Sequence, residues 1–192
     1  MPLLLETIKI ENGGIFNLPY HQKRFDKSRL DLFGDTTDID LSTVMEAPEK
    51  DLYRCRILYD TQIRSIEYIP YRTKVIRTLK VVPAAIEYSY KYANRNAFDT
   101  LFQSHPDVDE IIIEKDGFIT DTTIANLAFY DGVQWLTPAN PLLQGTMRAK
   151  LLDEKVIVEA PIQKKNLKKY THVALMNAML GFKILNNPTI TT

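Results

Sequence analysis

Alternating hydrophobic and polar positions predict a run of short strands in the first half of the chain. Leu3 to Ile10 reads as a strand, and Asn12-Gly13-Gly14 is a strong hairpin signal. Pro19 opens a helix that we predict from Tyr20 to about Phe33, ended by Gly34. The strands predicted after it run from Leu52 to Tyr59, Ile63 to Tyr68 and Lys74 to Val82. This pattern indicates a small antiparallel sheet with one helix packed on it.

The second half of the chain predicts a different order of elements. We expect a helix from Ala93 to Gln103 and then a near-continuous apolar strand from Val108 to Glu114. Tight turns at Asp116-Gly117 and Asp131-Gly132 separate further strands. The remaining predicted elements are strands from Leu127 to Tyr130, Val133 to Leu136, Val156 to Ile162 and His172 to Met176, a helix that follows Gly145 and runs to about Lys155, and a helix from Lys164 to Tyr170. We therefore expect an α+β protein of two lobes, residues 1–82 and 83–192, and no doubly wound parallel sheet.

Composition and charge place the chain among ordinary globular proteins. It has 192 residues, of which 45% are hydrophobic and 25% charged, enough for one substantial core or two small ones. The formal net charge is zero and the pI about 6.8, so no global field would attract nucleic acid or an acidic membrane. The single cysteine, Cys55, excludes an internal disulfide. Because the sequence has no signal-like or membrane-length apolar segment, we expect a cytoplasmic protein.

The stretch from Ile86 to Asn96 carries the first candidate for chemistry. Lys91 lies among three tyrosines, Tyr88, Tyr90 and Tyr92. Aromatic neighbours can remove water from an ammonium, and desolvation lowers the pKa of a lysine toward the range where the neutral amine is a nucleophile. Such a lysine could form a Schiff base with a carbonyl substrate or with pyridoxal phosphate (PLP). The alternative is a solvated surface lysine whose stem lies on a ring.

Arg24 is a candidate for anion binding on the first predicted helix. It shares one helix face with His21, Phe25 and Ser28, because these residues are spaced by three, four and seven. Guanidinium groups are rarely buried beside core residues without an anion, so Arg24 suits a phosphate or a carboxylate. A snorkelling side chain is the alternative.

Two further positions suit an anion. Arg56 projects from its strand on the same side as Arg54, and the pair would bind a substrate carboxylate or belong to a solvated sheet face. Gly145 precedes a predicted helix, and the backbone amides of Thr146 and Met147 at its start form a natural anion site.

Five segments in this order resemble the fold-type IV PLP enzymes, the class IV aminotransferase family. This family includes branched-chain and D-amino-acid aminotransferases and aminodeoxychorismate lyase, and the resemblance runs from Glu6 to about Lys183. The segments are Leu18-Pro19-Tyr20-His21-Gln22-Lys23-Arg24, which looks like the His-x-x-Arg helix; Lys91 with Asn94-Arg95; Gly117 to Asn126; Gly145-Thr146-Met147-Arg148; and Asn177-Ala178-Met179.

The resemblance implies a role for each segment. Lys91 would be the catalytic Schiff-base lysine and would also move the proton at the substrate Cα. Arg24 and the amides of Thr146 and Met147 would hold the cofactor phosphate, and Asp121 would hold the ring nitrogen. The implied cofactor-binding set is Arg24, Lys91, Asp121, Asn126, Thr146, Met147 and Asn177. Arg56 is our candidate for the substrate carboxylate.

Two positions depart from the family pattern. Asp121 stands where the family has glutamate, so it would keep the ring nitrogen protonated only if the backbone or the cofactor shifted to cover one methylene. Asn96 stands where the aminotransferases commonly carry a tyrosine, five residues after the lysine. This weakens the aminotransferase interpretation and is neutral for a lyase.

The expected reaction is therefore that of the lyase branch, the elimination of pyruvate from aminodeoxychorismate to leave 4-aminobenzoate. The alternatives are an amino-acid aminotransferase, a PLP-binding protein without that catalysis, and a small mixed-sheet protein with no cofactor. The resemblance also implies a small antiparallel α+β lobe, a larger barrel-like lobe, PLP between them, and a homodimer. The expected partners are an amino-acid-like small molecule and a second copy of the chain, with no nucleic acid and no membrane.

Overall fold

The structure, a computed structural model that describes residues 1–192, is built on two β-sheets. One is a four-stranded antiparallel sheet, and the other is a nine-stranded mixed sheet. The chain divides into two compact units, Met1–Thr73 with Tyr90–Asn94 and Lys74–Ser89 with Arg95–Thr192. The longest helix has 16 residues, and none has both the length and the apolar character of a membrane span. The predicted α+β class, with a small antiparallel sheet and a larger second sheet, is confirmed.

The first unit contains two helices and the smaller sheet. Its elements are β1 (Leu4–Glu11), β2 (Gly14–Ile15), α1 (Leu18–Phe33), α2 (Leu41–Val44), β3 (Leu52–Tyr59) and β4 (Ile63–Pro70). The strands are ordered β2-β1-β3-β4. The tight turn between β1 and β2 forms because Asn12 and Gly13 both adopt a positive φ, 48° and 78°. At the other end of α1, Gly34 adopts the left-handed conformation and donates its N–H to the carbonyl of Leu30.

The alternation along β3 decides which face of the small sheet is buried. Cys55, Ile57 and Tyr59 pack with Phe25 of α1 in the core of this unit. Arg54 and Arg56 point to the other face, because successive strand residues alternate sides. The predicted alternation of this strand is therefore confirmed.

The second unit contains the larger sheet. Its elements are β5 (Thr78–Pro83), α3 (Asn96–Gln103), β6 (Glu110–Lys115), β7 (Phe118–Thr122), β8 (Asn126–Tyr130), β9 (Trp135–Pro138), α4 (Thr146–Asp153), β10 (Ile157–Ala160), a 3-10 helix (Lys164–Lys169), β11 (His172–Asn177), β12 (Gly181–Ile184) and β13 (Thr189–Thr191). The strands are ordered β10-β9-β8-β7-β6-β5-β13, and β11 pairs with β8 and β12. Ile111, Ile112 and Ile113 are fully buried on β6, as expected of a strand covered on both faces.

Three parts of the prediction differ from the structure. The strand predicted from Lys74 to Val82 was assigned to the first lobe, but as β5 it pairs with β6 and β13 in the second sheet. The helix predicted from Ala93 begins at Asn96, because Ala93 instead donates its N–H to the carbonyl of Leu3 (2.8 Å). The short strands β12 and β13 were not predicted. The placement of β5, β13 and Ala93 depends on pairing with residues that are distant in sequence, whereas β12 pairs with the neighbouring strand β11.

Candidate active site

A buried cluster of Glu6, His21 and Arg24 lies in the first unit, between β1 and α1. Glu6 is on the core face of β1, and His21 and Arg24 are three residues apart on α1, so both side chains reach the same carboxylate. Arg24 donates from Nε to Oε1 of Glu6 (2.8 Å) and from Nη2 to Oε2 (2.6 Å). Nδ1 of His21 lies 2.6 Å from Oε2. This bidentate pairing holds the guanidinium plane of Arg24 in a defined orientation.

The charges in this cluster shift the pKa values of its members. Burial alone would raise the pKa of Glu6, but the charge of Arg24 and the hydrogen bonds from His21 and Arg24 outweigh it and lower the pKa to about 2. Burial is also the largest influence on His21 and lowers its pKa, against the hydrogen bond and charge of Glu6. Glu6 is therefore an ionised carboxylate with no exposed surface.

Lys91 lies on a segment that borders β1 in the same unit. The N–H of Leu5 donates to the carbonyl of Lys91 (2.9 Å), and a tight turn at Lys91 lets Tyr92 N–H donate to the Tyr90 carbonyl (2.8 Å). The rings of Tyr90 and Tyr92 contact each other, with centroids 6.1 Å apart. The charge of Lys91 is close enough to contribute, after burial and Arg24, to lowering the pKa of His21. Lys91 and Arg24 thus belong to the same unit.

Arg56 is placed away from this cluster. In the sheet register Ile57 is opposite Glu6, whereas Arg56 is opposite Thr7, so Arg56 is on the face of the sheet that Glu6 does not use. Its Nη1 donates to Glu67 on β4 (3.1 Å), in an exposed ion pair. The role of Arg56 in binding a substrate carboxylate stays a prediction.

Asp121 is the centre of a second buried network, in the second unit. Asn126 donates from Nδ2 to Oδ1 of Asp121 (2.7 Å), and the N–H of Leu143 donates to Oδ2 (2.9 Å). The same Nδ2 of Asn126 also donates to the carbonyl of Leu143 (2.8 Å), which closes the network. Asp121 and Asn126 meet because β7 and β8 pair at these two residues. Two of the predicted site residues are therefore in direct contact.

The pKa of Asp121 is raised to about 7. Burial is the main cause, and it is opposed by the Leu143 N–H, the Asn126 amide and the charge of Arg148. The two carboxylate oxygens together have about four acceptor sites, and Leu142, Leu143 and Asn126 use three of them, so one more hydrogen bond can be accepted. Asp121 can therefore also receive an N–H from a bound group, and it does so best when it is ionised.

The start of α4 is the third predicted part of the site. The first intrahelical bond runs from Ala149 N–H to the Gly145 carbonyl (2.9 Å), so the N–H groups of Thr146 and Met147 precede it and face the helix start. A Cβ added to Gly145 would lie 2.0 Å from Oδ1 of Asn126. The backbone can therefore approach the Asp121 network only with glycine here. Amides at a helix start next to a buried acid fit a ligand with an anionic group and a ring N–H.

Asn177 contacts the turn that joins β7 to β8. Its Nδ2 donates to the carbonyl of Ile124 (3.1 Å), and its Oδ1 accepts from the N–H groups of Met179 and Leu180 (2.9 and 2.8 Å). Asn177 thus supports the turn that carries Asn126. Its role in binding the cofactor stays a prediction.

Three residues of these networks were missed from the sequence. Glu6 could have been found from the sequence, because it lies two residues from both Leu4 and Ile8. In a strand this spacing places its carboxylate on the core face of β1. Leu143 contributes only backbone groups, which no side-chain pattern reveals. Arg148 is almost fully buried and donates to the Pro138 carbonyl (3.0 Å), but it entered the prediction only as the end of a motif.

The two sheets and the residues that they carry define the fold-type IV class. The sequence model of the family described as "Amino-transferase class IV" matches residues 62–184. A protein of Haemophilus influenzae named "Uncharacterized protein" is 39% identical over 184 residues, which cover 93% of this chain and 98% of that one. The chain belongs to the class IV aminotransferase family, as the resemblance predicted.

Solved structures and one curated relative agree with this membership. A crystal structure from Haemophilus somnus, described as a "putative 4-amino-4-deoxychorismate lyase", has a TM-score of 0.87 and 38% identity, covering 94% of this chain and 98% of that one. A "hypothetical aminotransferase" of Mycobacterium tuberculosis in a PLP-bound form shares the fold, with a TM-score of 0.80, 14% identity and coverage of 98% and 81%. A "Putative aminodeoxychorismate lyase" of Schizosaccharomyces pombe is 40% identical over 90 residues, covering 44% of this chain and 37% of that one.

Proposed function

We propose that this chain is a PLP-dependent enzyme that eliminates pyruvate from aminodeoxychorismate and leaves 4-aminobenzoate. The observation that carries the proposal is the likeness, over nearly the full length of both chains, to the Haemophilus somnus protein described as such a lyase. Membership in the class IV aminotransferase family supports the cofactor, and so does the PLP-bound form of a protein with the same fold.

Each residue of the site has a part in the proposal. PLP, when bound, supplies an electron-withdrawing ring that stabilises negative charge at the substrate Cα. Lys91 would hold it through the ε-amine and move a proton at Cα. Arg24 and the amides of Thr146 and Met147 would bind the phosphate. Asp121, when ionised, would accept the N–H of the ring nitrogen and keep it protonated.

The covalent part of the proposal can be tested at Lys91. The purified protein is incubated with PLP, reduced with borohydride and digested, and the modified peptide is identified by mass spectrometry. We expect the pyridoxyl group on Lys91, and we expect Lys91→Ala to lose it. The control Lys50→Ala, at an exposed position, should keep it. A reduced pyridoxyl group on another lysine would contradict the assignment.

The reaction is tested separately by an assay for pyruvate release from aminodeoxychorismate. A parallel panel of amino-acid donors with 2-oxoglutarate measures amino transfer. We expect pyruvate release that depends on PLP and on Lys91. Amino transfer without pyruvate release would favour the aminotransferase, and PLP binding with neither activity would favour a binding protein.

A further inference from the structure

A cluster of lysines in the second unit has no part in the proposed reaction. The 3-10 helix carries four lysines in six residues, namely Lys164, Lys165, Lys168 and Lys169. The whole chain has equal numbers of basic and acidic residues, 24 of each, so this local excess stands out. None of the ion pairs in the structure involves these four side chains.

Three of these lysines line a groove with a volume of about 630 Å³. The other wall includes the turn at Asp116 and Gly117 with Phe118, and Thr192, the last residue of the sequence, also lines the groove. Backbone hydrogen bonds hold the two walls together, from Lys164 N–H to the Gly117 carbonyl (2.9 Å) and from Ile119 N–H to the Ile162 carbonyl (2.8 Å). The groove is therefore a fixed feature of the backbone, and its volume is in the range of small-molecule sites.

The chemistry of the lining indicates what the groove would bind. Lys164, Lys165 and Lys168 carry three positive charges, and Asp116 and the terminal carboxylate of Thr192 carry two negative charges, which leaves an excess of one positive charge. Ammonium groups bind phosphates and carboxylates as point charges. Phe118 lines the groove and is 39% exposed, so a flat group bound there can stack against its ring. The lining includes none of the residues assigned to PLP.

We propose that this groove is a second binding site, for a small organic polyanion that carries an aromatic ring. Its phosphate or carboxylate groups contact the lysines, and its ring lies on Phe118. A nucleoside diphosphate is the simplest probe of this class, because its two components can also be supplied separately.

Isothermal titration of the full chain, saturated with PLP and at low ionic strength, tests the proposal. We expect one saturable site for ADP and weaker binding of both pyrophosphate and adenosine. The triple variant Lys164→Gln/Lys165→Gln/Lys168→Gln should weaken ADP binding roughly tenfold, since each exposed charge contact contributes modestly. Phe118→Ala should weaken ADP binding and leave pyrophosphate binding unchanged. Added salt should weaken ADP binding to the wild type.

The matched control is Lys23→Gln/Lys50→Gln/Lys155→Gln, which removes the same charge from exposed positions elsewhere. It should bind ADP as the wild type does, and circular dichroism should show both triple variants folded. The proposal is overturned if the two triple variants lose affinity equally, or if ADP shows no saturable binding. It is also overturned if ADP binds only the PLP-free protein, because the ligand then occupies the PLP site. None of these outcomes depends on whether the chain releases pyruvate.

Discussion

Two buried carboxylates, Glu6 and Asp121, have pKa values shifted in opposite directions, and their surroundings explain why. Both lose hydration by burial, which raises a carboxyl pKa. At Glu6 burial is the largest single influence on the pKa, but the charge of Arg24 and the hydrogen bonds from His21 and Arg24 together outweigh it. Asp121 contacts only neutral donors, while the guanidinium of Arg148 is paired with Glu159 (2.6 Å). The net shift of the pKa therefore follows burial at Asp121, whereas at Glu6 it follows the combined effect of a charged partner and hydrogen bonds.

Replacing Glu6 by glutamine should destabilise the first unit. Glu6→Gln keeps the shape but leaves the guanidinium of Arg24, only 14% exposed, without its counterion, at a cost of about 3 kcal/mol. The pKa of Glu6 is lowered from 4.5 to about 2, so the stabilisation is complete above pH 4.5 and is lost as the pH falls toward 2. Urea unfolding should therefore show a smaller difference near pH 3 than at pH 7.

The control for this variant is Glu67→Gln, which breaks the exposed pair with Arg56. Its cost should stay below about 1 kcal/mol. If both variants lost the same free energy of unfolding, the buried Glu6–Arg24 pair would stabilise the fold no more than the exposed Arg56–Glu67 pair does, and the prediction would be wrong.

Replacing Asp121 by asparagine should remove a pH dependence of stability. The pKa of Asp121 is raised from 3.8 to about 7, so between these values the folded chain keeps a proton that the unfolded chain has released. The contribution of Asp121 to the free energy of unfolding is therefore fully present below about pH 4 and is lost as the pH rises through 7. The free energy of unfolding of the wild type minus that of Asp121→Asn should fall over this window in PLP-free protein. The prediction would be wrong if this difference did not change with pH. It would also be wrong if the wild type minus the exposed control Asp107→Asn showed the same fall.

At the scale of elements, the segment between β9 and α4 is held by side chains from three elements. Asp121 of β7 and Asn126 of β8 bind both backbone groups of Leu143. Arg148 of α4 donates to the Pro138 carbonyl and, from Nη1, to the side chain of Gln144 (2.8 Å). The helix start that would bind the phosphate and the acid that would bind the ring are therefore mechanically linked.

Gly145→Ala tests this link. Gly145 has a φ of −70°, so alanine introduces no backbone strain, but its Cβ would meet Asn126 Oδ1 at 2.0 Å. Moving Asn126 breaks its bonds to Asp121 and Leu143, at a cost of about 1–3 kcal/mol. Urea unfolding should show this loss, and PLP titration should show weaker binding. The control Gly14→Ala, whose Cβ would meet its nearest neighbour at 3.3 Å, should lose less.

At the scale of the whole molecule, we propose that the chain acts as a homodimer. Ile124 lies in the turn that carries Asn126, and its side chain is 46% exposed, so a partner that covered it would exclude water beside the site. Light scattering at micromolar concentration should give about 44 kDa, twice the chain mass of 22.1 kDa. Ile124→Glu should shift the mass toward the monomer. A wild-type monomer that still binds PLP would contradict the proposal.

The sequence by itself determined the local features of this protein. The spacing of His21 and Arg24 puts both on one helix face, and Gly145 marks the start of α4, as predicted. The alternation of β3 separates Cys55 from Arg56, and the order of motifs was sufficient to predict the family. These features depend on residues within a few positions of one another, whose geometry a helix or a strand fixes.

Only the tertiary structure decided which distant residues meet. It paired β5 with the second sheet, placed Lys91 beside β1, and set Asp121 against the backbone of Leu143, 22 residues further along the chain. The pKa values of Glu6 and Asp121 also follow from burial and from partners that no local pattern contains. Pairing and desolvation depend on contacts between segments far apart in sequence, and these contacts exist only once the chain has folded.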